Sequence, residues 1–167
     1  YEQSECDEYE PCNLYSVVEG TMIRTSLSSS VAVEDLQIGD KVLSKHIPSL
    51  PDMSEGLDEL YSWESDNAEG NYSDALVVTN NFITVQGVRS FNNGALIATK
   101  AHNHIIKRDG KWRVLTTKDI VVGDIFQDIN GDEVLITSAE IEEREVKVYS
   151  LNVETDDVYY ANDILTH

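Results

Sequence analysis

The chain has 167 residues, which is enough for one domain with a substantial core and too few for two full domains. Its formal net charge of -19 at pH 7 argues against nucleic acid or an anionic membrane as a partner, because phosphate affinity depends on clustered Lys and Arg. No apolar run approaches the roughly 20 residues of a membrane span, and the first residues are unlike a signal peptide, so we expect a cytoplasmic monomer.

Residues 1–12 are acidic and show no periodicity, which predicts an exposed tail or the end of another segment. Both cysteines, Cys6 and Cys12, lie in this stretch. Two cysteines make no disulfide framework, and nothing nearby completes a zinc set, so we expect neither a metal nor a cofactor. By residue type alone, Cys12 stays a possible nucleophile.

From Tyr15 onwards, short β-rich runs alternate with Gly, Asn and Ser. Clear runs cover residues 41–43, 75–84, 95–99, 134–137 and 146–153. Many short strands without a long helical period predict an all-β domain.

Residues 48–74 interrupt these strands with eight Asp and Glu residues, and no Lys or Arg occurs between His46 and Val88. This composition predicts a long acidic loop or insert. The alternative is a short docked helix formed around Leu57, Leu60, Tyr61 and Trp63.

Residues 33–42 recur as residues 117–126. Each copy has an acidic and then apolar turn, one apolar step, and a Gly-Asp pair that leads into a strand. Glycine tolerates positive φ and aspartate can bond its own backbone, so both copies encode the same tight turn. A match over ten positions predicts two related halves with an internal pseudo-twofold axis.

Four features carry side chains suited to chemistry: Ser16 before a Gly-Thr turn, Thr99 with His102 after an apolar run, Asp157 in an acidic cluster, and His167 at the chain end. Each alone has an ordinary structural explanation: a polar residue at the start of a strand, a histidine whose hydrogen bonds are all made, or a charge exposed to solvent. Their order and spacing carry more information than any one of them.

In that order the segments resemble the Hint superfamily of inteins and hedgehog-type domains. Intein starts look like a nucleophile, two apolar residues, a variable position, Gly or Asp, and Thr, as in residues 16–21. The family's Asp-Leu-x-x-Gly-Asp-x-Val segment is matched by residues 33–42, and its Ala-Thr-x-x-His block by residues 98–102. An Asp-Gly and an aromatic residue follow at 109–112, and the last family segment is similar to residues 148–167.

The resemblance covers residues 16–167 and implies the Hint horseshoe fold, all-β with two pseudo-twofold-related halves. It implies autocatalytic protein splicing, which begins when the Ser16 hydroxyl attacks the Tyr15 carbonyl in an N-to-O acyl shift. His102 would protonate the departing Ser16 nitrogen, and Thr99 would bond the scissile amide or orient His102.

Two further positions take roles from the resemblance. Asp157 would accept the Ser16 proton or couple the two ends, and His167 stands where the penultimate histidine of inteins assists cyclisation of a terminal Asn. The Gly-Thr spacing selects Ser16 over Cys12 as the nucleophile. The chain departs from the family in having Ser rather than Cys at its start, Asp157 where many relatives have His, Asp163 for Gly, and no terminal Asn or following nucleophile.

We therefore expect residues 16–167 to be a mini-intein without a homing endonuclease, acting once on itself rather than as a turnover enzyme. Residues 1–15 would be a remnant of the N-extein or a tail, and the partners would be the flanking extein segments of the same precursor. Two alternatives stay open: a Hint domain that cleaves itself without splicing, and a non-catalytic acidic β-domain that binds a partner.

Overall fold

The computed structural model describes residues 15–52 and 54–167. The acidic tail predicted over residues 1–12, with Cys6 and Cys12, therefore lies outside the described residues. Within them the chain forms short β-strands and one α-helix, as the all-β prediction requires.

Seven strands form one antiparallel sheet: β1 Val17–Val18, β4 Lys41–His46, β6 Asn71–Val85, β7 Val88–Phe91, β8 Leu96–Ala98, β13 Ala139–Glu142 and β14 Val146–Val153. Their order across the sheet is β13-β7-β8-β1-β14-β6-β4. The long strand β6 pairs with β4 through its first part and with β14 through its second, so it connects the edge strand β4 to the rest of this sheet.

The second antiparallel sheet contains nine strands: β2 Met22–Arg24, β3 Ser30–Ala32, β5 Glu64–Ser65, β9 Asn103–Arg108, β10 Lys111–Thr116, β11 Ile125–Gln127, β12 Glu133–Leu135, β15 Tyr159–Ala161 and β16 Ile164–Thr166. Most follow the order β12-β11-β9-β16-β15-β2-β3, while β10 pairs with β9 and β5 pairs with β10. The main hydrophobic core draws buried side chains from both sheets.

The two copies of the sequence repeat adopt the same backbone turn. In each copy a 3-10 turn, Val33–Asp35 or Thr117–Asp119, precedes the Gly-Asp pair. Gly39 has a φ of 91° and Gly123 a φ of 103°, a region that side chains with a Cβ rarely adopt. The repeat therefore encodes a local structure that only glycine fits well.

The aspartates of the two turns make the same backbone contact but differ in burial. Asp40 Oδ2 accepts a hydrogen bond from the Gln37 amide at 2.8 Å, and Asp124 Oδ2 accepts one from the Val121 amide at 2.9 Å. Asp40 is exposed, whereas Asp124 is buried and receives two hydrogen bonds from the Arg108 guanidinium at 2.8 and 2.7 Å. The second half thus uses the shared turn to pair a buried aspartate with a partly exposed arginine.

Residues 48–74 contain the helix α1, Leu57–Ser62, and the strand β5. Leu60 and Trp63 are buried in a second hydrophobic cluster together with Trp112 of β10. The segment thus contains the docked helix that was the alternative to a loop. In the described part of the chain, no helix has the length and apolar character that crossing a membrane requires.

Asp40 and Asp124 occupy the same position in the two copies of the repeat, so substitutions at both compare the contribution of each aspartate to stability. Asp124→Asn leaves the Arg108 guanidinium without its charged partner, so we expect a loss of about 2 kcal/mol in the free energy of unfolding. Asp40→Asn keeps an acceptor for the turn at an exposed position and should cost less than about 0.5 kcal/mol. Urea denaturation of both variants checks this, and equal losses would contradict it.

Candidate functional site

The register of the short strand β1 fixes where Ser16 lies. Val17 pairs with Ala98 of β8, so the residues one step outward, Ser16 and Thr99, face each other. The Ser16 amide donates a hydrogen bond to Thr99 Oγ1 at 3.1 Å, and the Thr99 amide donates one to the Ser16 carbonyl at 3.0 Å. The nitrogen of the Tyr15–Ser16 peptide bond is therefore held by the Thr99 hydroxyl.

The side chain of Ser16 breaks the usual rule that buried polar groups are hydrogen-bonded. Ser16 is fully buried, and its Oγ has no partner among the described residues. An unpartnered buried hydroxyl costs on the order of 1–3 kcal/mol. Burial of Val17 beside it offsets a cost of that size, at roughly 1.5–3 kcal/mol for such a side chain. An orphaned hydroxyl that packing must hold in place indicates a functional position.

His102 lies one turn after Thr99, and its amide donates a hydrogen bond to the Thr99 carbonyl at 3.1 Å. Its imidazole is buried, with Nε2 placed 2.9 Å from the hydroxyl of Thr166 on β16. Its other ring nitrogen, Nδ1, is buried and makes no hydrogen bond to a described residue. The ring is therefore anchored on one side and open on the other.

Burial, and after it the charge that His167 carries when protonated, lower the pKa of His102, while a hydrogen bond from the protonated ring to the Tyr15 backbone raises it, and the net pKa is about 3. The imidazole is consequently uncharged at neutral pH. Since Nε2 contacts Thr166, Nδ1 is the nitrogen left to face the Tyr15 backbone. The ring thus borders the Tyr15–Ser16 peptide bond.

His167 brings the end of the chain to the same place. Its amide donates a hydrogen bond to the Asn103 carbonyl at 3.2 Å, next to His102. Its ring is buried, and Nε2 has no partner among the described residues. Burial lowers the pKa of His167 to about 4, so this imidazole is also neutral near pH 7. Ser16, Thr99 and His102 therefore border the Tyr15–Ser16 peptide bond, and His167 lies close enough to His102 to influence its pKa.

Asp157 is the one predicted site residue that stands apart. Its Oδ1 accepts a hydrogen bond from the Val153 amide at 2.9 Å, and it has no hydrogen bond to the other four. Burial raises the pKa of Asp157 to about 7. Tyr159 is near both Asp157 and His102: its pKa is raised by burial and then by the charge of Asp157, and its ring centroid is 6.4 Å from that of His102.

Sequence reasoning missed His104 and Thr166. The His102 and His104 ring centroids are 4.9 Å apart, and the Thr166 hydroxyl lies 3.1 Å from His104 Nδ1. The missed signal is the His-Asn-His spacing, because alternate residues of a strand point to the same face. Among the described residues, no group of three or more His, Cys, Asp and Glu side chains is placed to hold a metal ion.

The fold can be compared with known proteins. No family model matches the sequence, and no curated protein matches it significantly. Several solved structures do match. The bacterial intein-like domain from Clostridium thermocellum is 22% identical with a TM-score of 0.68, over 93% of this chain and 99% of that one. The gp41-1 intein is 17% identical with a TM-score of 0.63, over 91% and 97%.

A DnaB intein from Synechocystis sp. PCC 6803 is 14% identical with a TM-score of 0.58, over 91% of this chain and 97% of that one. The chain therefore has the Hint fold of inteins and intein-like domains, and the predicted all-β architecture with two related halves is confirmed. Likeness at these identities defines the fold; the chemistry must be argued from the site.

The raised pKa of Asp157 predicts a pH-dependent effect on stability. The folded protein keeps a proton at Asp157 up to about pH 7, whereas the unfolded chain releases it above about pH 4. The stability from this group is full below about pH 4 and is lost as the pH rises through 7. Asp157→Asn should therefore stabilise the protein more at pH 8 than at pH 4.5, as measured by urea unfolding.

The exposed Asp58 on α1 provides the control for this measurement. Asp58→Asn should change the free energy of unfolding by the same small amount at both pH values. If Asp157→Asn behaves like Asp58→Asn, the carboxyl of Asp157 does not titrate differently in the folded and unfolded states.

Proposed function

We propose that this chain is an autocatalytic self-processing domain, and that it converts the Tyr15–Ser16 peptide bond into an ester as the first step of protein splicing. The observation that carries the proposal is the buried, unpartnered Ser16 hydroxyl beside a peptide bond that Thr99 and His102 flank. The Hint fold supports the same assignment.

The proposed step needs no second reactant. The Ser16 Oγ attacks the Tyr15 carbonyl carbon, the C–N bond breaks, and the new C–O bond forms an ester. One proton leaves Oγ and one proton arrives at the Ser16 nitrogen, which becomes an amine. An amide and a hydroxyl are thus exchanged for an ester and an amine, with a single proton moved between two neighbouring atoms.

His102 is suited to carry that proton. With a pKa of about 3, His102 is uncharged at pH 7 and begins the step as a proton acceptor. A pKa this low makes it a weak base, so its role depends on its position beside the Tyr15–Ser16 bond and not on its basicity. The neutral ring takes the Oγ proton and then delivers it to the Ser16 nitrogen. Positioned proton transfer of this kind contributes about 10²–10⁴ in rate.

Thr99 and Asp157 would play different parts. The hydrogen bond from the Ser16 amide to Thr99 Oγ1 supports a role for Thr99 in orienting the scissile peptide plane. The contacts of Asp157 favour an indirect role, because its carboxylate accepts from the Val153 amide and the site neighbour that it influences is Tyr159, whose ring is next to His102. We assign Asp157 to coupling the ends rather than to accepting the Ser16 proton directly.

Completed splicing would use residues that follow His167 in a precursor: an Asn that cyclises and a nucleophile that takes over the acyl group. The neutral, buried His167 beside His102 is suited to assist that cyclisation. Residues 16–167 would then be the splicing domain and residues 1–15 the remnant of an N-extein. The splicing domain would act as a monomer, and its partners would be the extein segments of the same precursor.

A second candidate is a Hint domain that cleaves itself without splicing. The fold matches the bacterial intein-like domain and the gp41-1 intein over similar shares of both chains, so this candidate has the same support from the fold as splicing. This function needs Ser16, Thr99 and His102 but no terminal Asn. Extending the chain by Asn, a nucleophile and a reporter separates the two: splicing gives a ligated product by mass spectrometry, and cleavage alone gives only fragments.

Ser16→Ala tests the proposed nucleophile. We expect the wild-type chain to release its N-terminal segment in hydroxylamine, because hydroxylamine cleaves an oxygen ester, and we expect the Ser16→Ala chain to release none. Mass spectrometry of the products measures this. Ser44, another buried serine, is the matched control, and Ser44→Ala should leave the release unchanged. Equal release from the Ser16→Ala and wild-type chains would contradict the assignment of Ser16 as the nucleophile. A wild-type chain that releases no N-terminal segment would contradict it as well.

His102→Ala tests the proposed proton carrier. Loss of the imidazole should slow hydroxylamine release by about 10² or more, because the Oγ proton then has no positioned acceptor. The rate is measured by time-resolved mass spectrometry at pH 7. An effect below about tenfold would argue against proton transfer by His102.

A further inference from the structure

A chain of buried hydrogen bonds continues from His102 away from the scissile bond. The Thr166 hydroxyl lies 2.9 Å from His102 Nε2 and 3.1 Å from His104 Nδ1. His104 Nε2 in turn lies 2.7 Å from the Thr117 hydroxyl. All four side chains are buried. The proposed reaction assigns no role to Thr166, His104 or Thr117.

Counting hydrogens limits how this chain can be arranged. The Thr166 hydroxyl has one hydrogen, and it also contacts the Asn103 carbonyl at 3.0 Å, which can only accept. When Thr166 donates to Asn103, both ring nitrogens that face it must donate to its oxygen. His102 then carries its proton on Nε2, and His104 carries its proton on Nδ1.

The rest of the chain agrees with this arrangement. With its proton on Nδ1, His104 accepts at Nε2 from the Thr117 hydroxyl. The Thr117 hydroxyl also lies 3.1 Å from the His102 carbonyl. If it donates there instead, His104 carries its proton on Nε2 and Thr166 donates to His104 Nδ1, and His102 Nε2 still donates to the Thr166 oxygen. Burial, and then the charge of His102, hold the pKa of His104 well below its ordinary value, so His104 is neutral and has one lone pair to offer.

This arrangement determines whether Nδ1 of His102, the nitrogen that faces the scissile bond, carries a proton. A neutral imidazole with its proton on Nε2 has its lone pair on Nδ1, and Nδ1 of His102 is the nitrogen without a partner. Without the Thr166 oxygen, an Nε2–H group would be buried with no acceptor at that position. The ring would then favour the other tautomer, with an Nδ1–H facing the Tyr15 backbone and no lone pair for the Ser16 proton.

We propose that Thr166 and His104 are positioning residues that fix neutral His102 in the tautomer with its proton on Nε2, so that Nδ1 is free to receive the Ser16 proton. The effect of this tautomer on rate rests on the proposed function; the tautomer itself does not.

The position of Thr166 adds a coupling between the two ends of the domain. Thr166 pairs with His104 in the register of β16 and β9, and it directly precedes His167. Packing of the C-terminal strand β16 therefore determines which ring nitrogen of His102, next to the N-terminal scissile bond, carries the proton. A domain built in this way becomes reactive at its N-terminus only when β16 is in place.

Nitrogen-15 NMR of the histidine rings in the full chain tests the tautomer directly. The chain has four histidines, so single substitutions assign the signals. The wild-type chain should show His102 with a protonated Nε2 and an unprotonated Nδ1. A proton on Nδ1 of wild-type His102 overturns the proposal without requiring any variant to fold.

Three variants test what sets the tautomer. Thr166→Val removes the hydroxyl at nearly constant shape and should move the His102 proton to Nδ1 and slow hydroxylamine release by at least about tenfold. Thr166→Ser restores the hydroxyl and should keep the wild-type tautomer and a rate within about threefold of wild type. Thr116→Val, at a buried threonine whose hydroxyl bonds Asp119, is the matched control and should leave His102 unchanged.

The outcomes separate this proposal from the proposed function. An unchanged His102 tautomer in Thr166→Val, or a Thr166→Ser chain that behaves like Thr166→Val, overturns the positioning role even if the wild-type chain releases its N-terminal segment. A tautomer that shifts in Thr166→Val supports the positioning role, and if the wild-type chain then releases nothing, only the proposed function fails.

Discussion

The short strand β1 is the constraint on which the site depends. Val17 is fully buried between Ala98 of β8 and Tyr149 of β14, and this double pairing leaves it one register. A slip by one residue would turn Val17 outward and separate Ser16 from Thr99. Because the register holds, the scissile nitrogen meets the Thr99 hydroxyl, and the turn that follows Thr99 brings His102 to the same bond.

The second constraint is the pairing of β9 with β16, which joins the other end of the domain to this bond. It sets Thr166 beside His102 and His104 and leaves His167 next to Asn103. The three imidazoles are neutral because burial disfavours their charged forms. A buried, uncharged site of this kind favours moving a proton over a short path and disfavours holding a charge.

Local chemistry made some features predictable from the sequence. The Gly-Asp turns could be found because glycine at positive φ and an aspartate that bonds its own backbone are local requirements. The gathering of Ser16, Thr99 and His102 was expected from the order of the family's segments. The distance of Asp157 from that group depends on the conformation of its turn and on Tyr159, which no sequence pattern revealed.

His104 and Thr166 were missed for a related reason. His102 directly precedes β9, and the His-Asn-His spacing places it on the same side as His104, but only the tertiary packing of β16 shows that this side is buried and that a hydroxyl bridges the two rings. The helix α1 could be offered only as an alternative to a loop, because its six residues gain their stability from packing Leu60 and the adjacent Trp63 into the core.

The assignment of Ser16 as the nucleophile requires that the acyl carbon in the ester be the carbonyl carbon of Tyr15. Tandem mass spectrometry of the fragment that hydroxylamine releases locates it directly. An ester between Tyr15 and Ser16 predicts a fragment that ends at Tyr15 and carries a hydroxamate on that residue. A hydroxamate on any other residue, or a wild-type chain that stays intact under conditions that cleave esters, would contradict the assignment of Ser16 as the nucleophile.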